Sequence, residues 1–152
     1  MTHAVTGLIA TPTILEAFAR ERSLHRPIAL TGELAILPLR DVDLDSFLVA
    51  PCTHDIEHFQ YLSRQLIDLL RRTSHQGPLM YFETEYFGGI GGQGAAAFQD
   101  GEVTFGPQWG QIGTINQALR LLGVRVEPPA YDEFDMVGLG RHRRTERWLE
   151  QS

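Results

Sequence analysis

The side chains best suited to chemistry fall in four places along the chain. His54, Glu57 and His58 stand in the order H-x-x-E-H, an inverted zincin spacing. Two imidazoles one helical turn apart would grip a zinc ion there, with the glutamate as base. Glu133, far downstream, offers a further carboxylate. On a helical wheel at about 100° per residue, Glu57 and His54 fall roughly 100° and 160° from Ile56, well away from the apolar stripe. They are therefore expected to face solvent, and no metal or other cofactor is expected. Cys52 is the single cysteine, so it forms no internal disulfide and is expected as a small apolar side chain.

Gly89, Gly91 and Gly94 spell G-x-G-x-x-G. Such a loop binds pyrophosphate when a helix begins there and its first N–H groups meet the anion. Here strand-like residues 95–99 follow, and so the glycines predict a strand-to-strand connection over residues 88–94 with at least one glycine at positive φ. Just before it, residues 79–87 read as a strand whose side chains alternate between two faces. Glu83 and Glu85 then share one strand face about 7 Å apart, a spacing open to paired acid–base work, a divalent metal or a partner. No G-x-S-x-G nucleophile elbow occurs. The chain contains no lysine, which excludes P-loop, protein-kinase and Schiff-base chemistry.

These residues need a frame to hold them. The apolar run at residues 4–10 reads as a strand ended by Thr11-Pro12, where Thr11 suits an N-cap and Pro12 the first helical position. A helix is predicted over 12–23, two short strands over 28–31 and 34–38, and a helical or turn segment from Asp41 towards Pro51. Ile56, Phe59, Leu62, Leu66, Leu69 and Leu70 form one stripe and predict the longest helix over 56–73. Asp100-Gly101 between residues 95–99 and 102–105 is a hairpin turn. Thr114 and Gln117 read as a capping box with Gly123 as the helix stop, residues 124–127 as an edge strand and 144–150 as a final helix. Strands and helices without strict alternation predict one α+β domain over residues 1–152, with a largely antiparallel or mixed sheet and three to four helices.

At 152 residues the chain has ample length for one core. Charge is uneven: residues 41–140 hold fourteen carboxylates against five arginines, whereas 141–152 are net basic. An acidic body argues against nucleic-acid binding, which needs a positive surface. The first residues carry no Lys or Arg ahead of a short apolar run, so neither a signal peptide nor a membrane span is expected and a cytoplasmic location is.

The string from Met80 to Phe98, with FGP, INQALRLLGV and DEFDMVGLGRHR after it, resembles small bacterial proteins with a YFGG-x-G-x-Q core. Some of these are similar to immunity partners of secreted toxins. The resemblance covers residues 80–150 and implies a protein-binding role, with Glu83, Glu85, Tyr86, Gln93 and Asp135 in the site. Phe87 joins them as an aromatic anchor beside Glu85. The expected function is thus a non-enzymatic, acidic protein-binding module, an immunity or accessory protein whose partner is a basic toxin. The alternative is a small metal-dependent hydrolase using His54/His58 or Glu83/Glu85.

Overall fold

The computed structural model describes residues 2–49, 56–88 and 90–150. His54, Cys52 and Gly89 therefore lie outside the described residues. The first apolar run forms β1 (Thr6–Ala10), buried along its whole length. Pro12 opens α1 (Pro12–Glu21), since the N–H it lacks has no partner in a first helical turn anyway. α1 buries Ile14, Leu15, Phe18 and Ala19. β2 (Ile28–Ala29), β3 (Ala35–Pro38) and α2 (Asp41–Phe47) follow. After α3 (Arg64–Thr73) come β4 (Leu79–Phe87), β5 (Ile90–Gln99) and β6 (Glu102–Gly110), then α4 (Thr114–Leu121), α5 (Glu133–Val137) and α6 (Thr145–Glu150).

The six strands form one antiparallel sheet in the order β2-β3-β1-β4-β5-β6. β1 takes the place between β3 and β4 because it is apolar on both faces, as a strand covered on both sides must be. The two-residue alternation divides the core. Leu8, Leu37, Tyr81 and Ala96 meet α1, α2 and α3 on one face. Ile9, Ile36, Met80, Phe82 and Ala97 meet α4, α5 and α6 on the other. The fold is α+β, with one antiparallel sheet between two helical layers; among the described residues four helices have seven residues or more.

Three expectations about elements are corrected. The helix predicted over 56–73 begins only at Arg64, where Ser63 accepts from the Leu66 N–H. Phe59 and Leu62 do enter the core, but from an irregular segment in which His58 has φ +72°. The capping box at Thr114 does not form. Gly113 holds the N-cap position, and the Ile115 N–H is satisfied by Gln93 Oε1 of β5 at 2.8 Å. Residues 124–127 pair with no strand; the Val124 N–H instead closes the end of α4 on the Leu119 carbonyl.

Candidate functional site

β4 ends at Phe87 and β5 begins at Ile90, so strand follows strand here as the sequence suggests, with Gly88 at φ +62° and Gly91 at φ +146°. The connection is shorter than the expected 88–94, because residues 90–94 already belong to β5. No helix starts here to present N–H groups to a phosphate. The glycines serve close packing instead. A Cβ on Gly94 would come within 2.5 Å of the Phe59 ring and 2.6 Å of the Trp109 ring, and one on Gly92 within 2.5 Å of Trp109 Nε1. The bare backbone of β5 is the bed on which the Trp109 indole lies.

Beside that bed is an open cleft of about 520 Å³ lined by His58, Glu85, Phe87, Ile90, Gly91, Gly92 and Trp109. Register explains the grouping: Glu85 pairs with Gly92 and Trp109 with Gly94, and all four are on the face that α3 covers further along. Phe87 is 52% exposed and Ile90 81%, so both stand at the rim. The His58 ring stacks beside Trp109 with centroids 6.5 Å apart, and Phe59 meets the same indole edge-on at 5.5 Å. A second hollow shares Glu85 and Phe87 and adds Tyr61, Asp41, Arg144 and Glu146. A larger groove of about 640 Å³ lies beside α1, lined by Arg20, His25 and Arg26. It contains no phenylalanine, tyrosine or tryptophan and none of the candidate site residues.

The two strand-face carboxylates have separate fates. Glu83 is 3% exposed. Its Oε1 accepts from the Gln60 N–H at 2.7 Å, and its Oε2 from the Tyr61 N–H at 2.9 Å, the Leu62 N–H at 3.1 Å and the Tyr81 hydroxyl at 2.6 Å. Burial pushes its pKa above the ordinary glutamate value, and these four donors pull it part of the way back. Glu85 is half-buried, and its carboxylate makes no hydrogen bond or ion pair among the described residues. Charge accumulates around it: the Tyr61 hydroxyl titrates above its usual value through burial first, then through Asp41, Glu83, Glu146 and Glu85.

The other expected site residues separate in the same way. Gln93 is buried; besides holding Ile115 it donates from Nε2 to the Tyr86 hydroxyl at 3.1 Å. Tyr86 in turn donates to the Gln111 carbonyl on the α4 side of the sheet. Asp135 is exposed on α5, in the layer on the opposite face from Glu85, and accepts from the Tyr131 N–H. The expected surface of Glu83, Glu85, Tyr86, Phe87, Gln93 and Asp135 is thus corrected. Only Glu85 and Phe87 are together and accessible: Tyr86 and Gln93 project to the opposite face of the sheet, Asp135 is on α5 in the layer over that opposite face, and Glu83, on the same face, is buried under residues 60–62. Ile90, Trp109 and His58 complete the cleft. The first two were missed, although an aromatic placed opposite a glycine across a hairpin was a legible signal.

Glu133 is buried and paired with Arg120 at 2.8 Å, away from His58. His58 itself lies 3.4 Å from the Glu57 carboxylate in an exposed contact. Among the described residues no group of three or more His, Cys, Asp or Glu is placed to hold a metal ion. No helix among them is long and apolar enough to cross a membrane. Comparison with known proteins finds no match to a family model, a curated protein or a solved structure.

Proposed function

We propose that this chain is a non-enzymatic, acidic protein-binding module whose site is the cleft at the β4–β5 turn, and that its partner is a basic protein. The observation that carries the reading is Glu85: a carboxylate without a partner among the described residues, between two exposed apolar residues and a half-buried indole. A basic side chain entering there would meet the carboxylate, the Trp109 π-system and the Phe87 ring together. That combination orients a cation and shields it from water. The surrounding carboxylates supply a negative field that steers a positive partner and raises its association rate. A secreted basic toxin fits this chemistry, since a nuclease must itself present a positive surface to its substrate. In that case the module is an immunity protein.

The test uses wild-type protein and a Glu85→Ala/Phe87→Ala/Trp109→Ala variant as baits against host lysate, followed by kinetics with the purified partner. The expected result is a basic protein held by wild type, at least tenfold weaker binding to the variant, and an association rate that falls steeply with salt. Recovery of no basic protein, or equal binding by the variant, would overturn the reading.

A further inference from the structure

We propose that Glu83 is the positioning residue of this cleft: its buried carboxylate holds residues 58–62 against Trp109 and so builds the wall at which a partner is read. The proposal rests on the preceding reading for what enters the cleft, but the arrangement of the wall stands apart from it.

Residues 56–63 contain no helix or strand that would hold them by a backbone ladder. Within that stretch the one backbone–backbone bond, among the described residues, runs from the Phe59 N–H to the Ile56 carbonyl at 3.1 Å. The next three N–H groups, of Gln60, Tyr61 and Leu62, converge on Glu83. Successive N–H groups curled around one anion form a concave nest, and here the anion is a side chain of the sheet itself. The attachment point then decides what lies on either side of it. Phe59, one residue before, is wedged between Trp109 and Tyr81, with ring centroids 5.5 Å and 6.4 Å away. His58, one residue further back, reaches the indole from the cleft side.

Glu83 does not line the cleft, so its influence must pass through this segment. A carboxylate suits the task because it has only acceptors to offer. Glutamine would retain one oxygen and turn an NH2 group towards converging N–H donors. An uncharged side chain of almost the same shape therefore cannot reproduce the nest.

The test is Glu83→Gln, followed by NMR of the two tryptophan indole N–H signals and by hydrogen exchange. Trp148, fully buried in the layer on the other face, is the internal reference. The expected result is a displaced and broadened Trp109 signal, an unmoved Trp148 signal, and at least tenfold faster exchange at residues 60–62 with protection retained in β1 and β5. A hexa-arginine peptide, used as the cationic probe, should bind the variant at least fivefold more weakly although Glu83 never touches it. Unchanged exchange and an unmoved Trp109 signal would overturn the proposal, as would equal displacement of Trp148, which would mark a general loosening of the core.

If Glu83→Gln fails to fold, Tyr81→Phe carries the test. It removes one of the four donors, and exchange at residues 60–62 should then rise a few-fold; exchange equal to wild type would overturn the proposal. A wall released as expected in a protein whose wild type does not bind hexa-arginine upholds the positioning role and counts against the partner reading instead.

Discussion

Glu83 and Glu85 stand two residues apart on one face of β4, yet they belong to different regions of the molecule. Over Glu83 lies the irregular segment 56–62, and four donors turn inward to the carboxylate. At Glu85 that cover ends; the partners across the sheet are glycine and the neighbours are exposed apolar side chains. One carboxylate is therefore satisfied inside the fold, and the other stays half-buried with no side-chain partner among the described residues. Identical side chains on one strand face acquire different roles from what packs over them, and a short irregular segment is enough to divide them.

The largest effect that would sharpen this contrast is on stability. Glu83→Ala leaves the Gln60, Tyr61 and Leu62 N–H groups without the acceptor they share; at roughly 1–3 kcal/mol for each such group left unsatisfied, the loss should reach about 3 kcal/mol or more. Urea denaturation midpoints measure it, and a loss under about 1 kcal/mol would break the comparison. Next comes the glycine bed. Gly94→Ala should cost roughly 1–3 kcal/mol by overpacking against Phe59 and Trp109, whereas Gly88→Ala, with open space around it, should cost only the roughly 1–2 kcal/mol of its left-handed backbone. Paired thermal melts distinguish the two, and Trp109 fluorescence should change in the first variant alone.

A smaller effect is the pH dependence, and a second buried carboxylate supplies the contrast. In Asp43 burial also opposes ionisation, but the Arg40 guanidinium and the Arg40 N–H outweigh it and hold the carboxyl below its usual value. Glu83 meets only uncharged donors and is raised. The signs follow. Asp43 contributes stability that is present above its unfolded-state value and lost as pH falls through the lowered folded value. Glu83 binds its proton more readily in the fold, so its contribution is present below its unfolded-state value and lost as pH rises through the raised one. Melting series from acid to neutral pH should show Glu83→Gln losing the downward contribution and Asp43→Asn losing the upward one; identical profiles for wild type and Glu83→Gln would remove the assignment. The smallest effect is at Glu85 itself. With no side-chain partner among the described residues, Glu85→Ala should change stability by less than about 0.5 kcal/mol in the same urea titrations, while removing the charge that the proposed binding requires.

Much of the frame was legible because its signals are local. Alternation placed β4 at Leu79–Phe87 to the residue, Asp100-Gly101 marked the turn between β5 and β6, and Thr11-Pro12 divided β1 from α1. The stripe from Ile56 to Leu70 misled for a related reason. Its burial pattern was correctly read at Phe59 and Leu62, but hydrophobic spacing reports which residues are covered and not the backbone path that covers them. The same limit applied at α4, where an apparent capping box was replaced by Gln93, a side chain on a distant strand.

What the sequence determined alone was the class of fold, most of the strands and helices, and the face of β4 on which Glu83 and Glu85 project, all of which depend on residues within a turn or a pleat of one another. Which of the two carboxylates would be enclosed was decided only in the tertiary structure. Three of the four donors that enclose Glu83 belong to residues 60–62, about twenty positions earlier in the chain, and they are backbone N–H groups. Every residue but proline carries such a group, so no choice of side chain announces where it will point; only the folded path of the chain brings three of them to one carboxylate and leaves its neighbour open.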